Sequence, residues 1–340
     1  MKKREIYLDM LNIVACFCVI SMHCNGIVHT YSNTIPWKQS MFVETVAYWA
    51  VPVFFMMSGA TLMNYRDRYN TKTYLTKRFT RVGIPFIAWS LINFIWKTYA
   101  GRIDIIWNIP FFISLFLNNK IENVYWFFAP LFACYLCIPV LSFLKDNRKM
   151  LWYMLLCGGL TYSVFPTVCQ LIGLGFNSNL YFPMAGGYVI YLILGYLIST
   201  TELTKNQRCL LYVCAFGGAA LRFMSTVILS AETGELYRVF WGYMNFPAVG
   251  LAVGVFVLFK YAKWDPIFSN LTRINIVTSI ASASFGIYLI HMIVINAFYV
   301  YGVNVYGLKW RVIGPILVYF ISLAAVKCMQ SIPGVKRIIP

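Results

Sequence analysis

Apolar stretches of about 17 to 25 residues recur along the chain, and at about 1.5 Å of rise per residue each is long enough to cross a hydrocarbon layer of about 30 Å. They predict ten helices, near residues 6–24, 43–63, 82–100, 124–144, 151–173, 182–199, 208–229, 241–262, 276–300 and 311–329. A shorter run near 103–117 contains Asp104 and Pro110 and reads as a re-entrant or interfacial segment rather than a span. No repeat and no low-complexity linker divides the pattern. The expectation is an all-α polytopic membrane protein with about ten transmembrane helices, forming a single domain over residues 1–340.

The first stretch carries Asp9, Asn12 and His23 inside an otherwise apolar helix. At 100° per residue the eleven steps from Asn12 to His23 return close to the same azimuth, and Asp9 falls within about 40° of His23. The three polar groups therefore form one stripe. Roughly 20 Å of axis separates Asp9 from His23, which puts them in opposite leaflets.

Basic residues then orient the chain. With the N-terminus inside, 20 of the 28 Lys and Arg residues fall in cytoplasmic segments and seven in outer ones, and Arg222 lies within a span. Both termini are expected in the cytoplasm. Counting 103–117 as a span would put Lys145, Arg148 and Lys149 outside. Trp49, Trp107, Tyr125, Trp126, Trp241 and Trp310 fall near span ends, where aromatic side chains anchor at the lipid interface.

Composition agrees. Apolar residues make up 60% of the chain and charged residues 11%, with a mean hydropathy of +0.68, which leaves no polar coat for a soluble globule. The net charge of +17 follows from loop topology, and without a contiguous aromatic-interleaved basic surface it does not point to nucleic acid. Of the ten cysteines most lie in apolar runs as small hydrophobes, and Cys134-x-x-Cys137 has no second ligand pair. The N-terminal basic residues and apolar run could be a signal peptide, but Asp9, Asn12 and the lack of a small-residue cleavage site favour a retained helix.

Intramembrane ionisable groups mark candidate chemistry, because their burial is costly unless they face a cavity or one another. His23, Glu44, Arg222 and His291 all fall in the outer half of their spans. A histidine in a dry pocket exchanges protons near neutral pH, and a carboxylate such as Glu44 can orient it. At the cytoplasmic pole Lys77, Arg78 and Arg81 cluster, the two arginines three apart on one helical face. Such a pair suits a phosphate or pyrophosphate, and it also satisfies the positive-inside rule. There is no phosphate-binding glycine loop, no dinucleotide fingerprint and no metal-ligand constellation in the sequence.

These residues carry a resemblance. Tyr7-Leu-Asp9-Met-Leu-Asn12 through His23, Val51-Pro52-Val-Phe54-Phe55-Met-Met-Ser58-Gly59, Arg78-x-x-Arg81, Tyr125-Trp126-Phe127-Phe128 through Pro139, Tyr191-Leu-Ile-Leu-Gly195-Tyr196 and Ser284-Phe-Gly286-Ile-Tyr288-Leu-Ile-His291 occur in order along the chain. Together they resemble the integral-membrane family-3 acyltransferases, bacterial proteins of about ten helices that transfer acyl groups, often acetyl, from cytoplasmic acyl-CoA to glycans outside. The resemblance implies a catalytic His23, with Arg78 and Arg81 on the CoA phosphates. It departs at Asn12, where the family has arginine, so a hydrogen-bonding group is kept while a fixed charge and a bidentate fork are lost.

The expected activity is an acyl-CoA-dependent O-acyltransferase of the cytoplasmic membrane, with acetyl-CoA or another acyl-CoA as donor and no metal. The acceptor is a hydroxyl of a cell-surface or lipid-linked glycan. His23 is the general base and Glu44 its orienting carboxylate. Lys77, Asn12 and Asp9 join Arg78 and Arg81 on the donor, and Arg222, His291, Ser58 and Tyr288 are candidates for holding the acceptor or an oxyanion. The lipid bilayer and both substrates are the expected partners, and a homo-oligomer is compatible with the pattern. A transporter or export module for a small polar substrate, or an inactive member of the family, are the alternative readings.

Overall fold

A computed structural model describes residues 5–99, 108–264, 267–268 and 270–340, and Asp104, Trp107 and the N-terminal basic residues lie outside them. The chain is 77% helical, with no strand among the described residues. In chain order the helices are α1 (Ile6–His23), α2 (Ile35–Ala47), α3 (Ala50–Leu62), α4 (Thr71–Arg78), α5 (Ile84–Tyr99), α6 (Ile109–Leu117), α7 (Phe128–Leu141), α8 (Arg148–Gly158), α9 (Phe165–Leu171), α10 (Val189–Thr200), α11 (Lys205–Thr233), α12 (Phe246–Tyr261), α13 (Leu271–Val300) and α14 (Leu308–Gln330).

Several of these are halves of one rod. Helices α2 and α3 run on as Ile35–Asp67, α4 and α5 as Thr71–Tyr99, and α8 and α9 as Arg148–Leu171. Prolines make the breaks. Pro52 offers no N–H to the carbonyl of Tyr48, where α2 gives way to α3. Between α4 and α5, Phe79–Gly83 winds as a π-helix that ends two residues before Pro85, and between α8 and α9, Gly159–Val164 does the same before Pro166. A proline ring collides with the carbonyl four residues back, and the wider turn moves that carbonyl aside.

Each of the ten predicted spans contains a helix. Among the described residues, eight helical stretches are long and apolar enough to cross a membrane, while α10 and α12, at 12 and 16 residues, are shorter. The prediction started the α10 span at 182, but Pro183 and Gly187, the latter at φ +52°, delay the helix to Val189. Helix α11 starts earlier than its apolar core, because Thr204 and Gln207 form a reciprocal cap. Helix α6 has nine residues, about 14 Å of axis, and is too short to span.

The core is built on close helix approaches. On α3, a Cβ at Gly59 would lie 1.9 Å from the carbonyl oxygen of Leu192, and on α10 a Cβ at Gly195 would lie 1.9 Å from that of Met56. The two backbones touch there, as they do in membrane helix pairs built on small residues. Helices α11 and α12 meet similarly at Gly218 and Gly254. The aromatic-anchor expectation is corrected for Trp49, Tyr125 and Trp310, which are buried among neighbouring helices rather than set against lipid.

Candidate active site

The polar stripe of α1 lies against α13. Thr278 Oγ1 donates to Asp9 Oδ2 at 3.4 Å, Asn12 Nδ2 donates to the carbonyl of Ala281 at 2.9 Å, and Cys16 Sγ donates to that of Ser284 at 3.6 Å. The last rung joins His23 Nδ1 to His291 Nε2 at 2.7 Å. Because both series ascend together, the two helices run side by side in the same direction. Asn12 thus uses its amide donor to clamp α1 to α13.

His291 is fully buried and its Nδ1 lies 2.6 Å from the carbonyl of its own helix neighbour Tyr288. Tyr288 donates its hydroxyl to the carbonyl of Val124, and Tyr125 donates to that of Leu289 at 2.7 Å, so this part of α13 is pinned from the side.

Glu44 and Arg222, from α2 and α11, form a second buried group. Arg222 is 1% exposed, donates through Nη1 to the carbonyl of Phe240 at 2.7 Å, and keeps Nη2 4.0 Å from Glu44 Oε1. Its guanidinium carbon lies 3.4 Å from the ring centroid of Tyr48, a cation–π stack. Tyr48 in turn stacks on Tyr243 at 4.3 Å and donates its hydroxyl to the carbonyl of Trp241. The two opposite charges face each other across 4.0 Å, while Glu44 Oε2 and Arg222 Nε are buried without a hydrogen-bond partner.

At the opposite end of α1, the π-turn carries Arg81 and follows Arg78 directly. Lys77 turns away: it is exposed and its ammonium sits 4.5 Å from the ring centroid of Tyr69.

One cavity of about 590 Å³ runs from Arg78 and Arg81 to His23 and Glu44. Toward the start of α1 its walls carry Asp9, Asn12, Arg78, Arg81 and Tyr135. Midway they carry Phe54, Met57, Ser58, Phe127, Phe285 and Tyr288, and at the far end His23, His29, Glu44, Trp126 and Tyr243. Along α1 it reaches from Leu8 to His23, about 22 Å. The passage is cationic at one end, apolar in the middle and imidazole-lined at the other.

Residues 5–327 match the family model described as the acyltransferase domain of type 3. The chain belongs to acyltransferase family 3. No curated protein and no solved structure matches it. The chain is thus a membrane acyltransferase with several membrane-crossing helices, and the cavity along α1 runs for about 22 Å of helix axis.

Of the sequence candidates, His23, Glu44, Arg78, Arg81, Asn12, Asp9, Ser58 and Tyr288 line this cavity, whereas Lys77, Arg222 and His291 do not. Arg222 stands behind Glu44, and His291 behind His23. Glu44 has Arg222 as its ion-pair partner, while His23 is held by His291. The hydroxyls of Ser58 and Tyr288 already donate to the carbonyls of Phe54 and Val124, so each offers the cavity an acceptor.

Sequence reasoning missed His29, Tyr48, Trp126 and Tyr243. His29 sits in the Gly26–His29 turn, its ring surface-exposed, where partial desolvation by the surrounding chain and the neighbouring Arg238 charge lower its imidazole below the usual range, and being one of three histidines was the available signal. Tyr48 and Tyr243 had none, since 18% of the chain is aromatic, whereas Trp126 stands in the Tyr125-Trp126-Phe127-Phe128 segment that carries the resemblance.

Proposed function

We propose that this protein is an acyl-CoA-dependent O-acyltransferase of the cytoplasmic membrane that moves an acyl group, acetyl in the first instance, to a hydroxyl of a cell-surface or lipid-linked glycan. The observation that carries the reading is the cavity joining Arg78 and Arg81 to His23. The positive-inside bias supports placing the arginine end in the cytoplasm, where acyl-CoA is found.

In this reading the two guanidinium groups hold the donor phosphates through charge-assisted, bidentate contacts. The pantetheine arm lies in the apolar midsection. Its extended reach of roughly 15 to 20 Å matches the roughly 16 Å of helix axis between Asn12 and His23, which brings the thioester to the imidazole. The acceptor hydroxyl attacks the thioester carbonyl while His23 takes its proton. The C–S bond then breaks and the proton passes to the departing CoA thiolate, giving the ester and free CoA. Trp126 and Tyr243 line the same end of the cavity as His23, stacked on each other at 5.6 Å, so their ring edges and the outer face of Trp126 form an aromatic wall for a sugar ring, and Glu44 offers a carboxylate.

His23→Ala is the test. It is expected to abolish transfer of label from acetyl-CoA into the membrane glycan fraction while leaving the detergent-solubilised protein monodisperse, and an active His23→Ala protein overturns the assignment. Acetyl-CoA is expected to raise the melting temperature where free acetate does not. A transporter for a small polar substrate would show no such preference for the CoA ester.

A further inference from the structure

We propose that His291 is a positioning residue that fixes the tautomer of His23, so that Nε2 of His23 is the nitrogen left free to accept a proton. The inference rests on the proposed role of His23 and follows from a short chain of hydrogen bonds. A backbone carbonyl can only accept. With the Tyr288 oxygen 2.6 Å from His291 Nδ1, that nitrogen carries the hydrogen. A neutral imidazole has one N–H, so Nε2 of His291 presents a lone pair. It lies 2.7 Å from His23 Nδ1, too close for two lone pairs to face each other, so His23 Nδ1 carries a hydrogen and donates it. The remaining nitrogen of His23, Nε2, is then unprotonated.

The ring geometry agrees. The two planes are 13° apart and the centroids 4.9 Å apart, which with nitrogens at 2.7 Å means the rings meet edge to edge in nearly one plane. Ring N–H bonds and lone pairs both lie in that plane, so the N–H···N contact is aligned.

Chemically, the opposite tautomer would be inert, because an N–H would face the hydroxyl that has to lose its proton. In the assigned tautomer, the acceptor O–H proton moves to His23 Nε2 as the new C–O bond forms, and it leaves to the CoA thiolate once the C–S bond breaks. While His23 holds both hydrogens its bond to His291 becomes charge-assisted and stronger, so the cation is stabilised when it exists. This assigns to an imidazole the orienting task that a carboxylate performs in other hydroxyl-activating sites. His291 is buried, lies outside the cavity lining and reaches substrate only through His23.

With three histidines in the chain, selective ¹⁵N-histidine labelling of the full protein in lipid bilayers resolves the ring nitrogens by solid-state NMR, assigned by single substitution. At a pH of about 8, where an ordinary imidazole is neutral, His23 is expected as the Nδ1–H tautomer, with an N–H···N coupling to His291. In His291→Leu, which keeps the bulk and removes the acceptor, His23 is expected to shift to the Nε2–H form. In His291→Gln, whose amide oxygen reaches near the place of Nε2, it is expected to stay Nδ1–H. An Nε2–H tautomer in the unaltered protein, or an unchanged tautomer in His291→Leu, overturns the inference. The tautomer is read without any substrate, so its outcome is independent of the His23→Ala transfer assay. Where transfer is measured, His291→Leu is expected to lower kcat on the order of 10²- to 10⁴-fold, the scale of a misplaced imidazole hydrogen, with KM for acetyl-CoA unchanged.

Discussion

Gly59 on α3 and Gly195 on α10 lie at a crossing where each helix is packed against the other's backbone: a Cβ at Gly59 would sit 1.9 Å from the Leu192 oxygen, and one at Gly195 1.9 Å from the Met56 oxygen. Both glycines are needed for a steric reason. Backbone carbonyls cannot swing away as a side-chain tip can. Gly59→Ala and Gly195→Ala are therefore each expected to destabilise the protein by about 3 kcal/mol or more, at or beyond the upper end of ordinary overpacking. Gly250→Ala is the control, because its Cβ would meet the Cys214 oxygen at an ordinary 3.5 Å. Thermal unfolding in detergent checks the set, and equal melting temperatures for Gly59→Ala and Gly250→Ala would refute the crossing.

The stripe of Asp9, Asn12 and His23 was legible because a regular helix converts spacing into azimuth. Its partner was not. The rungs to Thr278, Ala281, Ser284 and His291 join residues 268 or 269 positions apart, and nothing local announces which of nine other spans will lie beside α1. For the same reason a carboxylate at similar depth, Glu44, was read as the orienting group for His23, whereas the structure gives Glu44 to Arg222 and an imidazole to His23. Helical periodicity also assumes 3.6 residues per turn, so the π-turn carrying Arg81 left no trace beyond Pro85.

Arg78, Arg81 and Lys77 form one basic cluster in sequence and two different situations in space. The arginines line the cavity, and Lys77 packs over Tyr69 outside it. Arg78→Ala and Arg81→Ala are each expected to remove a charge-assisted contact with the donor phosphates of about 1.5 to 3 kcal/mol, raising KM for acetyl-CoA roughly 10- to 150-fold. Lys77→Ala is expected to leave KM within about twofold, since an exposed cation over an aromatic ring contributes only about 0.5 to 1 kcal/mol to local packing. Steady-state kinetics in reconstituted membranes separates the three. A Lys77→Ala enzyme as impaired as Arg78→Ala would mean that the donor binds on the outside face of α4.

Asn12 joins the α1–α13 contact to the cavity wall. Its Nδ2 donates to the Ala281 carbonyl at 2.9 Å, and the residue also faces the cavity. Asn12→Ala removes the clamp between α1 and α13 and is expected to lower stability by about 0.5 to 1.5 kcal/mol, with KM for acetyl-CoA unchanged, because no charge is lost. Asn12→Arg loses the same clamp but places a guanidinium on the wall shared with Arg78 and Arg81, three residues after Asp9 on the same helical face. One added charge-assisted contact is worth about 1.5 kcal/mol or more, so KM for acetyl-CoA is expected to fall roughly tenfold. The gain should shrink as salt is raised wherever the donor phosphates stay in contact with solvent. Lower stability with no change in KM in Asn12→Arg would show instead that the donor phosphates never approach this turn of α1.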